Sequence, residues 1–217
     1  MTAKTRTAIL ISGRGSNLQA LIDAAANPAY PAEIALVLSN VADAQGLARA
    51  ASAGIPTKTI SHRDHATRES FDGEIDKALK ANGIEIVCLA GFMRILSDDF
   101  VRGWEGRLVN IHPSLLPAFK GLHVHRQVLD AGVTLSGCTV HFVVPELDSG
   151  PVIAQAAVPV FANDTEEALA ARTLEAEHKL YPLALGLLAG GRVTLEKGRA
   201  RFTGMPANTG ALFNPLG

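Results

Sequence analysis

Residues 7–18 read Thr7-Ala8-Ile9-Leu10-Ile11-Ser12-Gly13-Arg14-Gly15-Ser16-Asn17-Leu18: an apolar strand, a glycine-rich turn and the start of a helix. The same alternation continues outward from this stretch. A helix is expected over Ser16–Ala26, a second buried strand over Glu33–Ser39, helices over Ala44–Ala53 and His65–Asn82, and a third strand over Glu85–Ala90. Asp43 is placed to cap the second helix. Short apolar runs alternating with longer helical stretches mark βαβ units, so the expected fold class is α/β with a doubly wound, mostly parallel sheet.

Beyond Ala90 the rhythm changes. Arg107–Ile111 reads as a further strand, His123–Ala131 as a helix and Thr134–Val144 as a long alternating strand. Val152–Val160 is its expected antiparallel neighbour across the loop Pro145–Pro151, which makes the C-terminal part of the sheet antiparallel. A long helix from Thr165 to about Leu188 carries Glu166 and Glu167 in its first turn, where the helix dipole favours acids. A hairpin, Val193–Glu196 with Arg199–Phe202, turns at Lys197-Gly198, and the tail 203–217, rich in Gly, Pro and Asn, reads as loosely ordered. No linker interrupts the series, and 217 residues suit one well-filled core.

Composition narrows the function by exclusion. With 47% hydrophobic and 19% charged residues the chain is neither disordered nor fibrous. Twenty Lys and Arg against 21 Asp and Glu leave a net charge of −1, and the halves divided at Asn110 carry 12 basic against 12 acidic and 8 against 9. Nucleic acid is therefore not an expected partner, and an anionic ligand has to be held by local geometry. The longest uncharged stretch, Ser149–Asn163, has 15 residues and is broken by Gly150, Pro151 and Pro159, too short for a membrane span. The N-terminus lacks a signal-peptide core, so the cytoplasm is the default location. Cys88 and Cys138 lie in apolar runs without a partner motif and read as packing residues.

The glycine turn stands where the N–H groups of a helix N-terminus can cradle a phosphate. Gly13 and Gly15 let the backbone come close, and Ser16 and Asn17 add side-chain donors. Leu18 occupies the place of the third glycine in G-x-G-x-x-G, and the second strand ends in Ser39-Asn40 without a ribose-binding acid, which weakens a dinucleotide site. The G-x-x-x-x-G-K-[ST] loop of nucleotide triphosphatases is absent. A tight turn with no ligand is the alternative.

A second constellation is Asn110-Ile111-His112-Pro113-Ser114-Leu115-Leu116-Pro117, at a strand end. Alternation puts Asn110 and His112 on one face and Ile111 in the core. An amide donor and an imidazole in one space can stabilise a developing oxyanion and move a proton. The loop Glu146-Leu147-Asp148-Ser149-Gly150-Pro151 offers an acid that can pair with the imidazole and favour its charged form. A purely structural His-Pro at a strand end is the competing reading. His123 and His125 are two apart with no Cys or acid to complete a ligand set, so no metal is expected. His141 is compatible either with a place behind the site or with ordinary sheet packing.

The segments GRGSN, NIHPSLLPAFKG and ELDSGPV, with Ala90-Gly91-Phe92-Met93-Arg94-Ile95-Leu96-Ser97, closely resemble in order and spacing the phosphoribosylglycinamide formyltransferases, folate-dependent enzymes of purine synthesis. The likeness runs from Ala8 to about Leu188. Methionyl-tRNA formyltransferase and formyltetrahydrofolate deformylase also carry an Asn, a His and an Asp in these roles, but with an added domain for which 217 residues leave no room.

The resemblance implies a Rossmann-related, formyltransferase-like domain over 1–217, with a phosphate-binding half over 1–100, a folate-binding and catalytic half over 101–202 and the tail 203–217. It implies 10-formyltetrahydrofolate as cosubstrate, small-molecule substrates, no metal, no nucleic acid, no membrane, and a monomer or homodimer. Asn110, His112 and Asp148 are implied to be catalytic. Gly13, Arg14, Gly15, Ser16, Asn17, Pro113 and Glu177 are implied to bind phosphoribosylglycinamide. The folate side would comprise Arg68, Met93, Arg94, Ile95, Leu96, Val144, Pro145, Glu146 and Leu147 with Asn110 and Asp148, and Ile95 and Leu96 would cover the pterin faces. The implied chemistry is attack of the substrate amine on the formyl carbon, with the oxyanion beside Asn110 and protonated His112. Hydrolysis of formyltetrahydrofolate, or folate or nucleotide binding without turnover, are the alternatives.

Overall fold

The first strand, β1 (Thr5–Ile11), has neighbours on both sides and helices on both faces. Ala8 and Leu10 point into one helical layer and Ile9 and Ile11 into the other, all four fully excluded from solvent, which is why the run shows no polar alternation. The computed structural model describes residues 3–204 and Asn214. The tail expected to be loosely ordered therefore lies, from residue 205 on and apart from Asn214, outside the described residues.

In chain order β1 is followed by α1 (Ser16–Ala25), β2 (Ala32–Ser39), α2 (Gln45–Ser52), β3 (Thr57–Thr59), α3 (Arg68–Ala81), β4 (Ile86–Leu89), α4 (Asp98–Gly103) and β5 (Leu108–His112). Then come α5 (Val124–Ala131), β6 (Leu135–Phe142), β7 (Val152–Pro159), α6 (Glu166–Ala189), β8 (Val193–Glu196) and β9 (Arg199–Phe202). Seven strands form one sheet in the order β3-β2-β1-β4-β5-β6-β7, and β8 with β9 make a separate hairpin. The first five strands are parallel, and the β5–β6 and β6–β7 pairs are antiparallel. The doubly wound, mostly parallel sheet with an antiparallel C-terminal part is as expected.

β1 is followed by a helix that packs with α6 against Ile9 and Ile11, whereas β4 leads to α4, which joins α3 on the side of Ala8 and Leu10. The winding thus reverses between β1 and β4, and a crevice opens at the carboxyl ends of strands where it does so. The glycine turn and the loop 90–97 flank that point. Tyr181 on α6 fixes the depth of its helix: its buried hydroxyl donates to Leu89 O at 2.9 Å and to Val109 O at 3.3 Å. One helical turn earlier on the same side stands Glu177.

Three details differ from the sequence reading. Asp43 does not cap α2; the N-cap is Ala44, with no side-chain bond, because Gly46 N already donates to Gly13 O at 3.0 Å. The third helix begins at Arg68 rather than His65, where Thr67 and Ser70 form a reciprocal capping box, and His62–Asp64 is a separate 3₁₀ turn capped by Ser61. β3 and α4 were not expected. The first is a three-residue edge strand with all residues exposed, and the second a six-residue helix capped by Ser97.

Candidate active site

The turn 12–17 is held from behind so that its N–H groups face outward. Gly46 N and Arg49 Nε, at 3.0 and 2.9 Å, take the carbonyls of Gly13 and Arg14. Among the described residues no acceptor meets the N–H of Arg14, Gly15, Ser16 or Asn17, so these donors at the start of α1 are disposed to an anion. Gly15 has φ +72°, and a Cβ there would lie 2.7 Å from Gly46 Cα, so this turn needs glycine for both conformation and clearance. Asn17 Nδ2 donates to Glu177 Oε2 at 2.7 Å, which joins the turn to α6, while Asn17 Oδ1 is buried without a partner. Burial raises the Glu177 carboxyl above its ordinary range, and the bond from Asn17 opposes that only in part.

The polar cluster is built on the β5–β6 pair. Its register sets Asn110 opposite His141 and His112 opposite Thr139, so Asn110, His112 and His141 share the face away from Ile111, which enters the core. The connection after β6 folds back over this face and brings Asp148, 8% exposed, between the two imidazoles. Asp148 Oδ2 lies 3.4 Å from His112 Nδ1 and accepts from Gly121 N at 2.9 Å, and Oδ1 lies 3.9 Å from His141 Nε2.

His112 Nε2 faces Phe119 O at 2.9 Å. Both ring nitrogens of His112 thus face oxygen atoms. His141 differs. Its Nδ1 donates to Phe142 O at 2.8 Å, which leaves Nε2 to accept from Asn110 Nδ2 at 3.4 Å. Burial lowers its affinity for a second proton. A neutral His141 therefore orients the Asn110 amide, whose other N–H is left for a ligand oxygen.

Around this cluster the backbone is unusual. Phe119 (φ 55°), His123 (φ 54°) and Asp148 (φ 48°) all adopt the left-handed region without being glycine. Lys120 Nζ donates to Ser149 Oγ at 2.6 Å and ties the two loops together.

Of the expected folate residues, Met93 (67% exposed), Ile95 (65%) and Leu147 (57%) present apolar side chains to solvent, and Arg94, Pro145 and Glu146 are exposed as well. Val144 and Pro113 are half-buried. Leu96 is buried in the core cluster with Phe92 and Phe100. Arg68 is exposed in the first turn of α3, where its charge acts on Asp72 of its own helix. The sequence left His141 undecided and gave no weight to Gly46, Arg49, the Phe119 carbonyl or the Gly121 N–H. Register and loop closure, not composition, bring these into place.

Cys88 and Cys138 are buried free thiols, and burial pushes each up to about 12, in keeping with packing roles. Among the described residues no group of three or more His, Cys, Asp or Glu is arranged to hold a metal ion, and no helix is long and apolar enough to cross a membrane.

Comparison with known proteins gives the same picture over most of the chain. The formyl transferase family profile matches residues 5–185. The chain is 56% identical over 197 residues to the trifunctional purine biosynthetic protein adenosine-3 of Bos taurus, covering 90% of this chain but only 20% of that protein, so it spans about a fifth of that relative's length. It is 49% identical to the phosphoribosylglycinamide formyltransferase of Escherichia coli (strain K12), covering 90% of this chain and 92% of the relative. The crystal structure of glycinamide ribonucleotide transformylase 1 from Symbiobacterium toebii superposes with a TM-score of 0.90 at 44% identity, over 93% of this chain and 95% of that one. A reversed winding between β1 and β4, an open anion turn and an Asn-His-Asp cluster are thus carried on a chain that belongs to the formyl transferase family and matches phosphoribosylglycinamide formyltransferases over nearly their whole length.

Proposed function

We propose that this chain transfers the formyl group of 10-formyltetrahydrofolate to the amine of N1-(5-phosphoribosyl)glycinamide. The observation that carries the reading is the convergence of Asn110, His112 and Asp148, with His141 behind them, on a sheet that also bears an anion-binding turn. In this reading the N–H groups of residues 14–17 hold the phosphate and Glu177, already bonded to Asn17, meets the polar groups beyond it. The exposed side chains of Met93, Ile95 and Leu147 suit the faces of a flat heteroaromatic ring, which is the fit expected of a folate donor.

Acyl transfer then needs three things of the protein. The free N–H of Asn110 and the imidazolium of His112 stabilise the oxyanion that forms when the amine nitrogen bonds to the formyl carbon. His112 has to exchange its bond to Phe119 O for one to that oxyanion. The bond from the formyl carbon to the folate nitrogen breaks, and the proton lost by the amine reaches that nitrogen through a water beside Asp148. Asp148, 3.4 Å from His112 Nδ1, holds the imidazole in place beside the reacting carbonyl. On this reading residues 1–100 form the phosphate-binding half and 101–202 the folate-binding and catalytic half, and the enzyme works in the cytoplasm.

The test is to mix the chain with both substrates and follow the folate absorbance together with the formylated product. Stoichiometric product supports transfer. Loss of the formyl group to water alone replaces it with the hydrolase reading, and ligand binding without turnover replaces it with a binding module.

A further inference from the structure

The proposed chemistry leaves one partly buried line of hydrogen bonds unused. Ser12, the last residue before the glycine turn, accepts from Met93 N at 2.8 Å and donates its hydroxyl to Asn40 Oδ1 at 2.5 Å. Its own N–H donates to Gly91 O at 3.1 Å. Asn40, 4% exposed at the end of β2, points its Nδ2 at His62 Nδ1, 3.2 Å away. With Asn40 Oδ1 as its acceptor, the single hydroxyl hydrogen of Ser12 is committed to Asn40 and an oxygen lone pair is turned to Met93. The position calls for a group that accepts and donates at once.

The loop 90–97 has two other anchors. The Phe92 ring stacks on Phe71, with centroids 6.5 Å apart and planes at 7°, and Ser97 N donates to Asp72 Oδ2 at 2.6 Å. Both tie the loop to α3. Among the described residues its ties to the anion-binding turn both run through Ser12: the backbone bond from Ser12 N to Gly91 O, and the bond from Met93 N to the Ser12 hydroxyl, which is the only one of the two made by a side chain. The backbone of the loop is thus held while Met93, Arg94 and Ile95 keep their side chains in solvent.

We propose that Ser12 is a positioning residue that couples the two halves of the site, setting the register of the loop carrying Met93–Ile95 against the turn that holds the phosphate. Occupation of the turn by a phosphorylated substrate then favours the loop geometry that binds the donor, and the converse holds by linkage. The identity of the two ligands rests on the transferase reading, whereas the bond network does not.

The experiment compares wild type with Ser12→Ala, Ser12→Thr and Asn40→Ala. Tetrahydrofolate is titrated calorimetrically with and without N1-(5-phosphoribosyl)glycinamide, and Met93 amide exchange is followed by NMR without ligand. Loss of one hydrogen bond predicts a roughly 3- to 10-fold weaker tetrahydrofolate affinity in Ser12→Ala, and the tightening given by the phosphorylated substrate should fall to about onefold. Ser12→Thr keeps the hydroxyl and should restore both. The double variant with Asn40→Ala should be no worse than Ser12→Ala alone, because one line of bonds is being cut twice. Met93 exchange should rise about tenfold in Ser12→Ala while Ser97 exchange stays unchanged. A coupling factor unaltered in Ser12→Ala, or additive effects in the double variant, overturns the proposal. Unchanged Met93 exchange overturns the anchor whatever the chain binds. Wild type that binds no tetrahydrofolate overturns the coupling together with the transferase reading, and the exchange result still decides the anchor.

Discussion

Replacing Gly15 with alanine tests how the glycine turn is built. At φ +72° an L-residue pays the left-handed penalty, about 1–2 kcal/mol. Its Cβ would also stand 2.7 Å from Gly46 Cα, a backbone atom, so the turn and the start of α2 have to separate by about 0.7 Å to reach ordinary contact. Overpacking of that kind costs about 1–3 kcal/mol. Together these give a loss of about 2–5 kcal/mol, or roughly 4–20 °C in Tm for a chain of this length. Gly13 is the control two residues away, since nothing lies within 4 Å of its Cβ position and its φ is not positive. Gly13→Ala should stay within about 0.5 kcal/mol of wild type. Urea unfolding reads both, as midpoint shifts at constant m-value. Gly15→Ala within about 0.5 kcal/mol of wild type, or Gly13→Ala equally destabilised, refutes the reasoning.

Other outcomes follow from the site and its ionisation. His112→Ala should lower the formyl transfer rate by about 10²- to 10⁴-fold, and Asp148→Asn should lower it strongly, with KM values changed far less; steady-state rates near wild type would remove both from the mechanism. Burial raises the Glu177 carboxyl, so stability falls as pH climbs through the interval between its ordinary and raised values and the cost is complete above it. Glu177→Gln keeps an oxygen for Asn17 and should raise the Tm at pH 8 with no gain below pH 4; equal melting curves at pH 8 would contradict this. Paired bonds from Arg172, both at 2.8 Å, hold the Asp164 carboxyl down at about 2, a contribution present above the ordinary carboxylate range and lost as pH falls toward 2. Thermal melts of Arg172→Leu should show a deficit at pH 7 that narrows between pH 4 and pH 2, and a deficit independent of pH would argue for lost packing alone.

The elements most easily read from the sequence were those whose residues are buried on both faces. β1, β2 and β6 appear within three residues of the expected bounds, β1 and β2 because strands buried on both faces leave apolar runs and β6 because its alternation is long. Thr57–Thr59 leaves no such trace; all three residues are exposed, and the strand exists because Val37 and its neighbours offer an edge. α4 does carry a signal, Ser97 before Asp98-Asp99 and Phe100-Val101, but its six residues are too few to show a period. Asn110, His112 and Asp148 were legible as chemistry. What was not legible is that His141 stands between Asn110 and Asp148, which requires knowing that β6 runs back along β5 with His141 opposite Asn110. The line from Met93 through Ser12 to Asn40 joins three strand ends far apart in the chain, and residue types alone give no sign of it.

Phe119, His123 and Asp148, three of the four non-glycine residues with positive φ among the described residues, belong to the two loops that enclose His112. Each such conformation costs about 1–3 kcal/mol, a sum comparable to a good part of the stability of an ordinary domain. A thermostabilisation campaign that selects only for folding would therefore be drawn to these positions, trading them for glycine or relaxing the loops. It would gain melting temperature by loosening the carbonyl, the helix start and the carboxylate that fix one imidazole. The region where sequence change is most rewarded by stability is the region where it is least compatible with a pre-set site, so selection for heat resistance and selection for turnover should separate first at residues 119–123 and 148.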